Sequence, residues 1–396
     1  MSQRSEPRTL GGHPRRGSVL LRRRLEHKDG RQVLVYGRGS DSTELSSSRS
    51  FDRRTAGIHR RYDLLTDEWV VISPERNVRP NDPGSVEENE VACPICPGGL
   101  ELPFPYDAAV FENRFPSLVG EPPEPPAADG ATAPARGRCE VVVYTPRHEA
   151  SFAELSPLEL GRLLAIWVDR SRSLWADERH QVVFSFENCG ADAGATLSHP
   201  HGQIYAFDHL PPITRAKTAA HRRVREERRA CLGCVVTRAT GGERAVTENE
   251  SFAVAVPFAP RWPYEVTVRA RRHGLSRLAD LDRNERVHLL QALREVALRL
   301  DALLGPGAPY LMAVQEAPRD EPDWHLTFDF FPLRRARTSI KIRASVETAT
   351  GLCLNDVLPE TAARRLAEID LAPQASIGPE HLFRVEAARE GAGGAI

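Results

Sequence analysis

Long apolar runs are missing from this sequence. Nowhere do the roughly 18–20 consecutive apolar residues of a membrane span occur, which excludes a membrane-crossing helix. An excess of charge of one sign is missing too: 53 basic side chains stand against 54 acidic ones, a formal charge of -1. Without surplus Lys and Arg to neutralise phosphates over a broad face, neither a nucleic-acid partner nor a membrane partner is expected. The N-terminus carries arginines but not the apolar stretch of a secretory signal, so the expected compartment is the cytoplasm. Cysteine is scarce and odd in number, seven in 396 residues, which argues against a disulfide framework.

What is present is organised as a repeat. Cys93-Pro-Ile-Cys96 returns as Cys231-Leu-Gly-Cys234, and a pair of thiols three apart in a non-secreted chain reads as metal ligands. Cys139, Cys189 and Cys353 stand alone and are assigned no role. The stretch from Cys139 to His148 returns as Tyr264 to His273, with Glu140 and Glu265 each eight residues before the histidine. Each copy predicts a strand ending at a histidine and leading into an amphipathic helix, Pro157–Ser171 in the first and Asp282–Leu303 in the second. Glu112-Asn113 after the first cysteine pair is echoed by Glu248-Asn249 after the second, and His199 lies 126 residues before His325.

The expected fold is therefore α+β in two related halves, spanning residues 61–215 and 216–370. Residues 1–60 are expected to be largely flexible, apart from a short strand near 32–36, and residues 371–396 form a tail. Glu68–Ile72 reads as a strand, and the Pro/Ala/Gly-rich run Glu121–Gly137 as a loop.

Cys93, Cys96, His148 and His199 make a candidate tetrahedral metal site; Cys231, Cys234, His273 and His325 make a second, less clearly marked one. Four protein ligands leave no open position, so such a site is structural. A lone Cys-x-x-Cys packs in a turn about as often as it binds metal, and the duplication with matching histidines decides for metal. His199-Pro-His201-Gly-Gln203 predicts a strand with His199, His201 and Gln203 on one face. A neutral imidazole at His201 can attack the α-phosphorus of a nucleoside diphosphate derivative and form a covalent nucleotidyl-histidine. An isolated His-x-His is more often a pair of surface histidines. Here the small-residue segment Gly190–Ser198 precedes it and offers backbone N–H groups to phosphate. Gln203 is a neutral donor able to hold the bound phosphoryl oxygen, where a third histidine would suit hydrolysis. Arg76 and Arg79, just after a strand, are candidate phosphate clamps.

These motifs resemble the galactose-1-phosphate uridylyltransferases. The resemblance rests on Arg76-x-x-Arg79-Pro80, Cys93-Pro-x-Cys96-Pro97 and Phe111-Glu-Asn113-x-Phe115-Pro-x-Leu118. It rests most specifically on Phe186-Glu-Asn188 through His199-Pro-His201-Gly-Gln203-Ile204, and it covers roughly residues 20–370. It implies histidine-triad-like halves, each a mostly antiparallel sheet with packed helices, and a homodimer. It also implies ping-pong transfer of UMP from UDP-glucose to galactose 1-phosphate. His201 becomes the nucleophile and Gln203 the support of the intermediate. Arg76, Arg79, Asn113, Asn188, Gly194, Ala195 and Thr196 become contacts of nucleotide and phosphates, Lys341 and Glu347 contacts of the sugar. Zinc becomes the metal at Cys93, Cys96, His148 and His199. The chain departs from the family at His325-Leu-Thr327-Phe-Asp329, where many members carry His-x-His, and at Ser345-Val346, where a Gly-rich sugar loop is common. The second Cys/His set instead resembles the branch containing ADP-glucose phosphorylase, an adenylyltransferase with phosphate as acceptor. That enzyme is the alternative reading; a zinc-stapled nucleotide-binding protein without turnover is a third.

Overall fold

A computed structural model describes residues 18–38, 53–78 and 93–388. Its centre is a twelve-stranded sheet that the two halves build together. Val182–Cys189 of the first half pairs antiparallel with Tyr310–Gln315 of the second. Outward from that seam the first half adds His201–Phe207, Gly137–Val143 and Ala108–Glu112; the second adds Thr327–Pro332, Val266–Ala270, Phe252–Ala255 and, at its edge, Ala245–Glu248. The order is mirrored about the seam, as a duplicated unit requires. Gln32–Tyr36 and Ser18–Glu26 extend the first half, and Phe383–Ala387 closes that edge in parallel.

One face of the sheet is covered by two long helices, Pro157–Trp175 and Arg283–Leu304. Both start at capping boxes, Ser156 with Glu159 and Asp282 with Glu285, which satisfy the first free N–H groups. Their apolar stripes, among them Leu160, Leu164, Trp167, Leu290, Leu293 and Val296, join Val142, Ile204, Val268 and Phe328 of the sheet in one core. Burial of this kind contributes about 25 cal/mol per Å² of apolar area; on the sheet's other face Val33, Val35, Ala109, Phe111 and Val143 pack with Ile95, Leu102 and Phe104 in a second, smaller cluster.

Three expectations change. The first helix runs a turn beyond Ser171, to Trp175, because the Ser171 hydroxyl and the Trp175 indole N–H both donate to the buried Glu316 carboxylate, at 2.8 and 2.7 Å. A serine that looks like a helix end is thereby satisfied inside one. Within Glu121–Gly137, Thr132–Pro134 pairs with His59–Arg61, because backbone pairing needs no apolar pattern. The Glu-Asn echo is not an equivalence: Asn113 follows the strand Ala108–Glu112, whereas Asn249 precedes the matching strand Phe252–Ala255. Of residues 1–60, expected to be largely flexible, residues 1–17 and 39–52 lie outside the described residues.

Candidate active site and metal centres

The strand His201–Phe207 lies between Gly137–Val143 and Val182–Cys189. Alternation sends Gly202, Ile204 and Ala206 into the core and leaves His201, Gln203, Tyr205 and Phe207 on the open face. Gly202 has no alternative, since a Cβ there would stand 2.2 Å from the Tyr144 hydroxyl and 2.9 Å from the Phe186 carbonyl. Gly202→Ala is expected to cost about 1–3 kcal/mol by overpacking, read as a lowered Tm; an unchanged Tm would show that Tyr144 can yield.

His199 lines the same cleft as His201, although it precedes the ladder. The ladder begins at His201, because Pro200 offers no N–H and holds its predecessor in an extended conformation outside the pairing. His199 is buried and turns to the cysteine pair, its Nδ1 3.3 Å from Cys96 Sγ, while its Nε2–H donates to the Thr145 carbonyl at 2.7 Å. His148 Nδ1 lies 3.4 Å from the same sulfur. The ligand atoms of Cys93, Cys96, His148 and His199 all fall within 4.8 Å of one another, and those of Cys231, Cys234, His273 and His325 do the same. In the second group His325 Nε2 and His273 Nδ1 lie 3.4 and 3.6 Å from Cys234 Sγ, and His325 Nδ1–H donates to the Ala270 carbonyl.

These separations test the fit to a metal. A sulfur at about 2.3 Å and a nitrogen at about 2.0 Å from a tetrahedral ion stand about 3.5 Å apart, which both groups reproduce. Each buried imidazole spends its other nitrogen on a carbonyl, the usual way a ligating histidine is oriented. Burial holds His199 neutral, with its pKa lowered to about 4, and holds the Cys96 thiol up at about 11. A cation supplies the charge that turns such thiols into thiolates.

His201 Nδ1 lies 2.8 Å from the His199 carbonyl oxygen and donates to it, so the lone pair of the neutral ring is on Nε2. Burial lowers its pKa and favours that neutral form. His201 lines a cleft of about 200 Å³ together with Asn188, Gly190, Ala195, Ser198 and Gly307. Gly190 and Gly194 take φ of 86° and 77°, bending the short turn between them so that its backbone can face a ligand. No lysine or arginine among the described residues lines this cleft. Gln203 Oε1 takes a long hydrogen bond, 3.4 Å, from Asn113 Nδ2, and Asn113 Oδ1 accepts from the Phe115 N–H.

Of the residues singled out in the sequence, the structure thus gathers His199, His201, Asn188 and Ala195 in one cleft, with Gln203 and Asn113 linked beside it. Gly194 and Thr196 flank the cleft in the same loop without lining it. Arg76 donates to the Phe115 carbonyl at 2.8 Å rather than lining the cleft. Arg79 lies outside the described residues. Lys341 and Glu347 form a buried ion pair with each other at 2.8 Å and are not among the cleft residues. Two contributors were missed. Gly307 reaches the cleft from the second half. Glu187 sits opposite Gly202 on the core side, held by the Tyr144 hydroxyl, and burial raises its pKa to about 8. Strand alternation from Asn188 was the available signal for Glu187; nothing local marked Gly307.

Residues 48–211 match the family described as Galactose-1-phosphate uridyl transferase, N-terminal domain, and residues 220–375 match its C-terminal domain. The chain is 42% identical over 320 residues to the galactose-1-phosphate uridylyltransferase of Thermotoga maritima, covering 78% of this chain and 98% of that one. A solved structure of a uridylyltransferase is 31% identical, covers 78% of this chain and 97% of that one, and superposes with a TM-score of 0.71. An ADP-glucose phosphorylase from Arabidopsis thaliana, 22% identical, shares the fold with a TM-score of 0.61 over 79% of this chain and all of the other.

Proposed function

We propose, for a chain that belongs to the galactose-1-phosphate uridylyltransferase family, a two-step transfer of UMP from UDP-glucose to galactose 1-phosphate through His201. The protein is a nucleotidyltransferase, and its substrates are a nucleotide sugar and a sugar phosphate. The observation that carries the residue assignment is the hydrogen bond from His201 Nδ1 to the His199 carbonyl. It aims the ring and leaves Nε2 as the nucleophile without any proton having to depart first.

In the first step Nε2 forms a bond to the α-phosphorus, the bond from that phosphorus to the bridging oxygen breaks, and glucose 1-phosphate leaves. The ring now carries positive charge, which the Nδ1–H bond to the carbonyl stabilises. The Gln203 amide and the backbone N–H groups of the Gly190–Thr196 loop meet the phosphoryl oxygens. In the second step a phosphate oxygen of galactose 1-phosphate attacks, the nitrogen–phosphorus bond breaks, and the neutral imidazole returns. Arg76, Arg79, Asn113 and Asn188 are read as nucleotide contacts, and Lys341 and Glu347 as contacts of the sugar.

We read both Cys/His groups as zinc sites. At Cys93, Cys96, His148 and His199 the ion would tie the strand-end loops to the nucleophile segment and supply structure alone. Boundaries near residue 215 between the halves, a homodimer and a cytoplasmic location belong to the same reading; among the described residues no helix is long and apolar enough to cross a membrane.

Intact mass after incubation with UDP-glucose tests it: a fraction heavier by one UMP is expected, lost when a hexose 1-phosphate is added. The second Cys/His group favours one alternative, adenylyl transfer to phosphate. In the first half-reaction UDP-glucose is expected to exceed ADP-glucose in kcat/KM, since a pocket that hydrogen-bonds one base leaves groups unpaired with another. Faster loading from ADP-glucose would overturn the uridylyl assignment.

A further inference from the structure

The ladder register superimposes the two halves residue by residue. His201 lies opposite Val143, and one step along the Glu187–Gly202 pair it faces Asn188. Thr327 lies opposite Arg269 and Gln315. The Thr327 hydroxyl donates to the His325 carbonyl at 2.9 Å, just as His201 Nδ1 donates to His199. Thr327 thus stands where the nucleophile stands, Asp329 in place of Gln203 and Gln315 in place of Asn188. Where the first half has Val143, the second has the cation Arg269.

Beside this position the second half has a groove. Two cavities of about 170 and 520 Å³ share Lys217, Arg269 and Gln315; the smaller reaches Thr327, and the larger is walled by Phe184, Phe207, Trp262 and Phe331. Lys217, Arg261, Arg269 and Arg343 line the larger cavity against only two carboxylates, Glu265 and Asp329. Arg269 Nη1 donates to Thr327 Oγ1 at 3.2 Å, but its buried Nε has no partner among the described residues. The nearby Asp329 is already engaged by the Thr267 hydroxyl at 3.0 Å and by Lys217 at 3.4 Å. A guanidinium desolvated this far and left with a free donor is costly unless an anion meets it. Aromatic walls next to such a cation suit a flat ring carrying a phosphate.

We propose that this groove binds a second nucleoside phosphate, its phosphate toward Arg269 and Lys217 and its base against the aromatic walls. Thr327 is no nucleophile for it, because among the described residues its hydroxyl meets only the Arg269 guanidinium and the His325 carbonyl and no base, so the ligand is held and not consumed. Phe184 and Phe207 belong to the strands that carry Asn188 and His201. Occupancy of the groove therefore bears on the seam between the halves, as an effector would.

Calorimetric titration of the full chain with UMP is expected to count two sites. In Arg269→Gln and in Lys217→Glu one of them should weaken at least tenfold, while loading of His201 from UDP-glucose stays within twofold of the parent. Lys217 is a partly exposed helix residue, so its variant keeps the test open should Arg269→Gln fold poorly. A single UMP site in the parent chain, or two sites that survive both substitutions, overturns the proposal. Inorganic phosphate alone should compete at the second site at least tenfold more weakly than UMP; equal competition would overturn the part assigned to the aromatic walls.

Discussion

Replacing His201 with alanine is expected to abolish the UMP adduct and to lower transfer by at least about four orders of magnitude, the scale on which a covalent catalyst loses its nucleophile. The fold should survive. The His201 side chain is only half-buried on the open face, and among the described residues it hydrogen-bonds to the His199 carbonyl alone. Losing it costs about 1 kcal/mol. The two effects separate cleanly: intact mass after UDP-glucose reads the chemistry, and a melting curve reads the fold. Persistence of the adduct in this variant would falsify the nucleophile assignment, whatever the activity. Gln203→Ala, by contrast, should still form the adduct, more slowly, because Gln203 meets oxygens of a phosphoryl group that His201 attacks.

Much of this was legible in the amino-acid order, and the reasons differ by residue. Cysteine pairs and histidines recurring in one order were readable because metal ligands need particular elements, and a duplicated fold repeats their spacing. Strand ends and helices followed from alternation and capping, as at Ser156 and Asp282. What failed was inference from letters without register. Glu248-Asn249 copies the letters of Glu112-Asn113 but lies on the other side of a strand; Asn249 caps its own turn through Ser251 and Phe252 and donates to the His288 carbonyl. Lys341 and Glu347, still read as contacts of the sugar, pair with each other in the structure, since two opposite charges six residues apart can meet locally. Gly307 was beyond reach, because its approach to the cleft depends on how the second half docks along the seam.

The two Cys/His groups should be unequal when broken, although they look alike. Cys93→Ser and Cys231→Ser are each expected to lose one metal per chain by elemental analysis, from two in the parent. Each should also lose stability, on the order of several kcal/mol for a closed structural site. Only Cys93→Ser should also abolish the adduct. The His199 ring belongs to the first group, and the carbonyl of the same residue accepts the His201 Nδ1–H, so a single residue joins the metal cluster to the nucleophile. In the second group the carbonyl of His325 accepts from the Thr327 hydroxyl, which is not the proposed nucleophile. Release of the first cluster would free His199 to move, and with it the acceptor that fixes which nitrogen of His201 carries the proton. Cys231→Ser protein that still folds should therefore load UMP at a rate within a few-fold of the parent, while folded Cys93→Ser protein should not load. Equal loading by the two variants, or stronger loss in Cys231→Ser, would sink the link between the first cluster and the nucleophile. Less than one metal per chain in carefully prepared parent protein would sink the metal assignment itself.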